Sequence, residues 1–192
     1  LGVLGYHPAE LPRNRGRHPI IWTLALGLPR AGSTFFLMDE GADSGPIVSQ
    51  RSISVRPRET ADSLYSRLNG VAAEQLREIS EEIDQTGSFA HYPQDHSQAT
   101  YWRKRTARDG HVDWRMSATV IDRLVRALGP PYPCAEFFVN GSPVRILECN
   151  LATGPLDSEP GRVLNVDGAH AIIKAGDGAV RLRCDRELQG LL

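Results

Sequence analysis

The stretch GYHPAELPRNRGRHPI, residues 5–20, is the most informative part of this 192-residue sequence. Residues 1–6, which are rich in Leu and Val, predict a buried strand leading into it. Prolines and a glycine then interrupt any regular pattern and predict a loop over residues 7–18. His7 is thereby placed at the carboxyl end of a strand, which is where open α/β sheets bind their ligands.

A second strand end follows further along the chain, in the stretch MDEGADSG. Its Asp43 lies in a glycine-flanked turn after a β-branched and aromatic strand. A carboxylate beside an imidazole fixes its tautomer and favours its protonated form. Such a pair can take a proton from an amine nucleophile and stabilise a developing oxyanion. The flanking elements are predicted as a helix over 18–28 and strands over 32–39 and 46–55.

Residues 60–83 give the clearest helical pattern, with Thr60 as the predicted N-cap. Its apolar positions recur near a period of 3.6 residues and are Leu64, Leu68, Val71, Leu76, Ile79 and Ile83. The stretch 88–100 lacks periodicity and is interpreted as a linker. His91 and His96 within it are interpreted as solvated loop residues, so no metal site is predicted.

The sequence pattern changes after Trp114, from helical periodicity to short strands separated by turns. A short helix capped by Ser117 is followed by short strands at regular spacing, separated by Asn-Gly, Asp-Gly and Gly-Asp-Gly turns. The predicted strands lie within 134–140, 142–150, 161–168, 169–177 and 178–185. This pattern predicts a small antiparallel β-barrel or sheet, and the OB-fold is the favoured form. Residues 1–100 and 101–192 are therefore predicted to form two domains.

Composition restricts the class of protein. The net charge is −1 and 41% of residues are hydrophobic, as in an ordinary globular protein without a strong basic excess. Only the segment 101–115, with five basic and two acidic residues, is locally basic. No apolar stretch approaches a membrane span, no signal peptide is recognised, and three scattered cysteines fit a reducing cytoplasm.

The two strand-end motifs together resemble the formyltransferase family, which includes methionyl-tRNA formyltransferases and sugar N-formyltransferases. The resemblance lies in His7-Pro8, in Leu11-Pro12 with Arg15-Gly16, and in the turn from Met38 to Gly45. The later stretches DGHVDW and RALGPPYPCAEF resemble the start of that family's C-terminal barrel. The resemblance implies a partial Rossmann-like α/β domain with a mixed sheet, followed by an OB-like barrel.

The resemblance also implies roles for individual residues. Because the two strand-end motifs match one family pattern, Asp43 and His7 are expected to lie within hydrogen-bond reach, or one water apart, at the carboxyl edge of a mixed sheet. His7 is expected to act as base and oxyanion partner, held by Asp43, in formyl transfer from N10-formyltetrahydrofolate. The arginines of the loop, Arg13, Arg15 and Arg17, are expected to bind an acceptor phosphate or to form a solvated loop face. The residues expected to contribute to the cofactor site are Met38, Asp39, Glu40, Gly41 and Ala42.

Two departures from the family pattern stand out. The family has an Asn two positions before its His, whereas this sequence has Gly5. Loss of such an oxyanion donor typically costs about 2.7–4 kcal/mol of transition-state stabilisation. The family's Rossmann-like front half is also absent before residue 1, so the chain is expected to be a fragment or a shortened protein.

Three functions remain open at this point. The near-neutral charge favours a sugar N-formyltransferase acting on a nucleotide-linked amino sugar. A methionyl-tRNA formyltransferase needs a basic surface, which only 101–115 offers. A catalytically degenerate binding module is favoured by Gly5 and by the missing front half. No membrane partner is predicted, and a homodimer remains open.

Overall fold

The short strand β1, Leu4–His7, begins the first of two units in the computed structural model, which describes residues 2–190. The second unit consists of Leu24–Gly27, Thr60–Asp62 and residues 106–190, and the first contains the other described residues. The elements up to residue 105 are β1, β2 (Arg15–Gly16), α1 (Pro19–Ala25), β3 (Arg30–Leu37), β4 (Ile47–Ser54), α2 (Ala61–Thr86) and β5 (Tyr101–Trp102). The strands and helices predicted in this region are found, although the first strand begins at Leu4 and residue 1 lies outside the described residues. The short strands β2 and β5 were not predicted.

The sheet of the first unit has three strands in the order β1-β3-β4, and its pairings are antiparallel. His7 at the end of β1 pairs with Thr34 in the middle of β3. A two-residue parallel ladder joins β2 to β5, pairing Arg15 with Tyr101 and Gly16 with Trp102. This ladder brings the residues directly after the segment interpreted as a linker back to the loop that follows His7.

The loop after His7 lies flat against β3. A side chain at Gly32 of β3 would collide with the backbone of Ala9, so only glycine permits this close approach. The Thr34 hydroxyl donates to the Ala9 carbonyl at 2.6 Å, and Leu11 joins a buried apolar cluster with Phe36. These contacts with β3 therefore hold the loop against the sheet.

Helix α2 buries a different stripe from the one predicted. Leu64, Leu68 and Ile79 are buried as expected, but Leu76 is 47% exposed. Its neighbour Gln75 is completely buried instead. The buried positions share one helical face, and Leu76 lies about 100° from Gln75 around the axis. The prediction was wrong at this position because it selected apolar residues rather than a strict face.

Gln75 is buried because the sheet offers it polar partners. Its Nε2 donates to the Ser49 hydroxyl at 2.8 Å and to the Ser33 carbonyl at 3.2 Å. Its Oε1 accepts from the Ser33 hydroxyl at 2.6 Å. A buried amide is tolerated only when it is hydrogen-bonded in this way.

The second unit contains a five-stranded antiparallel sheet in the order β6-β7-β10-β9-β8. The elements are α3 (Ala118–Leu128), β6 (Ala135–Val139), β7 (Ser142–Ala152), β8 (Val163–Asp167), β9 (His170–Lys174) and β10 (Ala179–Cys184). Helix α3 packs against β7. The predicted small antiparallel β unit is confirmed, and within residues 2–190 no ladder joins β6 to β8, so the sheet is open.

Local signals in this unit act as predicted. The Ser117 side chain accepts from the Val120 backbone N–H and caps α3. Asn140 and Gly141 both have positive φ, 50° and 79°, as a two-residue hairpin turn requires. Within the described part of the chain, no helix is both long and apolar enough to cross a bilayer.

Candidate functional site

His7 is the last residue of β1 and is 5% exposed. Its Nε2 lies 2.8 Å from the carbonyl oxygen of Asn14, in the loop that follows the strand. A carbonyl can only accept, so Nε2 carries a proton and donates. In a neutral imidazole the nitrogen left free to accept a proton is therefore Nδ1.

Asp43 faces that nitrogen. Its Oδ2 lies 3.6 Å from His7 Nδ1 and accepts a hydrogen bond of 2.7 Å from the Gly16 backbone N–H. The expected proximity of Asp43 and His7 is confirmed, but the strands that precede them, β1 and β3, are antiparallel and share no carboxyl edge. The distance is that of a charge contact rather than a direct hydrogen bond. A proton arriving at Nδ1 would be stabilised by the carboxylate beside it.

The backbone of Asp43 adopts the left-handed conformation, with φ of 53°. Asp tolerates this region better than most residues, because its short side chain can hydrogen-bond locally. Such conformations persist only where surrounding contacts determine them. The contacts that hold this turn are therefore part of the site.

The three arginines of the loop have different environments. Arg13 and Arg17 are exposed, whereas Arg15 is 1% exposed. Arg15 donates from Nη1 to the Tyr101 hydroxyl at 2.7 Å and from Nη2 to Gln94 Oε1 at 2.6 Å. This burial leaves the Arg15 guanidinium without an open face for an acceptor phosphate, so its observed contacts are internal.

Gln94 is the residue of this site that sequence reasoning missed. It lies in the aperiodic stretch 88–100, yet it is only 6% exposed. Its Nε2 donates to the carbonyl oxygens of Asp43 and Gly45, at 2.9 and 2.6 Å. No period or local motif marks it, because its partners lie about 50 residues away along the chain.

His96, interpreted as a solvated residue, is exposed, but its Nδ1 is 3.3 Å from Arg15 Nη2.

The turn expected to contribute to the cofactor site is open to solvent. The exposed residues are Met38, Asp39, Glu40, Gly41 and Ala42. Asp39 holds the turn, because its Oδ1 accepts from the Ser44 hydroxyl at 2.7 Å and from the Gly41 N–H at 3.0 Å. The Ser44 hydrogen bond holds the pKa of Asp39 below its ordinary value.

An aromatic and basic cluster forms from α1, β5 and the residues that directly follow β5. Trp22 and Trp102 stack with ring centroids 5.2 Å apart, and the guanidinium groups of Arg103 and Arg105 lie 5.4 and 4.8 Å from the Trp22 ring. Burial lowers the pKa of His18, and neighbouring cations act in the same direction. This cluster is the structural form of the basic segment noted in the sequence.

Gly5 leaves little room for a larger residue. A Cβ built there would lie 2.8 Å from Cζ of the buried Phe36 and 3.0 Å from Cγ of Met38. The Phe36 ring therefore occupies the space that the first carbon of an Asn side chain would take at this position.

We expect Gly5→Asn to lower the free energy of unfolding by about 1–2 kcal/mol, because Phe36 must move from a well-packed position. Thermal unfolding monitored by circular dichroism measures this effect. Gly70→Ala is the matched control, since a Cβ at Gly70 meets nothing within 4 Å. A Gly5→Asn protein as stable as the wild type would show that the Phe36 ring adapts freely.

The sequence of this chain is similar to those of known proteins over most of its length. The family profile described as formyl transferase matches residues 1–79, and the profile of the formyl transferase C-terminal domain matches residues 104–189. The methionyl-tRNA formyltransferase of Chloroflexus aurantiacus is 34% identical over 183 residues. That alignment covers 95% of this chain and 58% of the relative, so the chain spans little more than half of that protein's length.

Solved structures share the fold. HypX from Aquifex aeolicus, determined in complex with tetrahydrofolic acid, is 26% identical, with a TM-score of 0.74 over 93% of this chain and 31% of its own. An N-formyltransferase from Helicobacter canadensis, in complex with folinic acid and dTDP-3-aminofucose, is 17% identical. Its TM-score is 0.74 over 95% of this chain and 66% of its own. Because the two family profiles together match most of its residues, this chain belongs to the formyltransferase family.

Proposed function

We propose that the protein transfers a formyl group from N10-formyltetrahydrofolate to the primary amine of a nucleotide-linked amino sugar. The observation that carries this proposal is the pairing of a buried imidazole with a carboxylate 3.6 Å away, at the end of β1. The folate-bound relatives support the choice of donor. The cysteines Cys134, Cys149 and Cys184 are free thiols, which suits a reducing compartment such as the cytoplasm.

The chemistry centres on Nδ1 of His7. The amine nitrogen forms a bond to the formyl carbon, and the bond between that carbon and N10 of the folate then breaks. The proton released by the amine passes to Nδ1, and Asp43 stabilises the resulting imidazolium. The imidazolium passes this proton on to N10 as it leaves, so His7 returns to its neutral form and the charges balance. Until it passes the proton on, the imidazolium would act as the oxyanion partner, in a site where Gly5 supplies no amide.

The donor would lie against the exposed turn formed by residues 38–42, next to Asp43. At Gly41 and Ala42 the small side chains leave the backbone of this turn accessible to a flat ring. The exposed Arg13 and Arg17 are the loop cations available to a diphosphate, whereas Arg15 supports the loop from inside.

A second acceptor, the amine of methionyl-tRNA, is favoured by a specific observation. The Trp22–Trp102 stack carries Arg103 and Arg105, and the Chloroflexus relative named above is a methionyl-tRNA formyltransferase. Aromatic rings with arginines suit a nucleic acid backbone and its bases. The net charge of −1 favours the small acceptor instead. A catalytically degenerate binding module is the alternative from another class, favoured by Gly5.

We expect the protein that contains this chain to formylate nucleotide-linked amino sugars when it is incubated with N10-formyltetrahydrofolate. Mass spectrometry of the acceptor measures the addition of the formyl group. Methionyl-tRNA, tested in parallel at the same ionic strength, identifies the alternative acceptor. Formylation of neither acceptor class, with folate binding retained, would favour the degenerate binding module.

Asp43→Asn is the matched variant for this assay. The Asn carbonyl can still accept from the Gly16 N–H, so we expect the fold to be retained, but it no longer stabilises an imidazolium. We expect kcat to fall by about 100-fold with little change in KM, since the charge acts mainly in the transition state. Steady-state kinetics measures both constants. An unchanged kcat would remove Asp43 from the mechanism.

A further inference from the structure

We infer that Gln94 is a positioning residue, which holds the Asp43 turn against His7 and against the loop that follows it. Its effect on catalysis rests on the proposed function, but its effect on the position of Asp43 does not. The inference comes from the hydrogen bonds of a single buried amide in a stretch that the sequence presents as a featureless linker.

The nitrogen side of the amide holds the backbone of the turn. Nε2 donates to the Asp43 carbonyl at 2.9 Å and to the Gly45 carbonyl at 2.6 Å. These two carbonyls lie on either side of Ser44, so both hydrogen atoms of the amide are used within one turn. The left-handed φ of Asp43 is thereby determined from outside the turn.

The oxygen side of the amide holds the loop. Oε1 accepts from Arg15 Nη2 at 2.6 Å and from Arg15 Nε at 3.2 Å. Arg15 directly precedes Gly16, whose N–H donates to the Asp43 carboxylate at 2.7 Å. The Gln94 amide therefore acts on Asp43 in two ways. It binds the Asp43 carbonyl directly, and it holds Arg15, which precedes the Gly16 N–H that binds the Asp43 carboxylate.

The orientation of the amide follows from its neighbours. A guanidinium only donates and a carbonyl only accepts, so an inverted amide would place donors against Arg15 and its oxygen against two carbonyls. Gln94 thus makes the four hydrogen bonds that an amide of this type can make. Burial strengthens them, because water does not compete at a residue that is 6% exposed.

Gln94→Glu removes the hydrogen bonds to the Asp43 turn while keeping those to Arg15. The carboxylate can still bind the buried Arg15 and gains an ion pair, so the fold should be retained. It has no N–H for the Asp43 and Gly45 carbonyls and would face them with an acceptor. Gln94→Asn is a second variant, since it keeps the amide but is one methylene too short to reach both sides. Gln98→Ala is the control, because Gln98 is exposed and its amide binds Asp95.

The first measurement needs no activity. Hydrogen exchange of the Gly16 amide, followed by NMR in the protein without ligands, reports directly on its bond to Asp43. We expect exchange to accelerate by about tenfold or more in Gln94→Glu and Gln94→Asn, and to be unchanged in Gln98→Ala. Unchanged exchange in both Gln94 variants would overturn the inference.

The second measurement is formyl transfer. We expect kcat to fall on the order of 10- to 100-fold in the Gln94 variants while KM stays near the wild-type value, because a displaced carboxylate impairs the reacting geometry. A wild-type kcat despite accelerated Gly16 exchange would overturn the catalytic part. If the wild-type protein transfers no formyl group, the proposed function fails, and Gly16 exchange still decides whether Gln94 positions Asp43.

Discussion

Replacing His7 by Ala is expected to lower kcat by about 10²- to 10⁴-fold while KM changes little. The imidazole is the group to which the amine proton passes, and Asp43 at 3.6 Å stabilises the charge that forms on it. Both contributions act mainly in the transition state, so they affect kcat rather than substrate binding. Steady-state kinetics with N10-formyltetrahydrofolate and the accepted amine measures the change.

Two further variants separate chemistry from structure. His7→Gln keeps a donor for the Asn14 carbonyl but cannot accept the proton, so its kcat should be as low as that of His7→Ala. His91→Ala removes an exposed imidazole from the segment before β5 and should leave kcat unchanged. A His7→Ala enzyme with near-wild-type turnover would contradict the proposed mechanism.

The second large effect is expected for Gly16→Ala, which should lower the free energy of unfolding by about 2–4 kcal/mol. Gly16 has φ of 96°, a conformation that disfavours any side chain. An added Cβ would also collide with the Trp102 carbonyl across the β2–β5 ladder. Because the Gly16 N–H donates to Asp43, we expect the same substitution to lower kcat.

Chemical denaturation followed by fluorescence measures the stability change. Gly70→Ala is again the control, since a Cβ added at this exposed glycine within α2 would have no neighbour within 4 Å. Alanine there should stabilise the helix by about 0.5–1 kcal/mol. Gly16→Ala with wild-type stability and activity would show that the ladder shifts without cost and does not position Asp43.

Much of the fold follows from local signals in the sequence. The prolines and glycine around His7 predict where β1 ends and where the loop lies, and the DEGADSG turn predicts where Asp43 lies. Both strand ends come from short-range patterns, but β1 and β3 are antiparallel, so their carboxyl ends lie at opposite edges of the sheet. The proximity of His7 and Asp43 was expected from the family resemblance of the two motifs, and in the structure the turn after β3 brings Asp43 to His7.

In helix α2, reasoning from local patterns did not identify every buried residue. Counting apolar residues placed Leu76 in the buried stripe, but the buried residue is Gln75. The sequence contains no sign that Ser33 and Ser49 would offer this amide its hydrogen bonds. The partners belong to two strands far from the helix in sequence, and only tertiary packing brings them together.

The sequence by itself determined where the candidate residues for the chemistry lie, because strand ends and turns depend on neighbouring residues. Only the tertiary structure decided that Arg15 is an internal support and that Gln94 holds the turn of Asp43. These two side chains are 79 residues apart, and their contact depends on the parallel ladder between β2 and β5. Arg15 was expected to bind phosphate, but it is buried because the Gln94 amide and the Tyr101 hydroxyl accept its hydrogen bonds. Hydrogen bonds between residues so far apart produce no periodic pattern in the sequence.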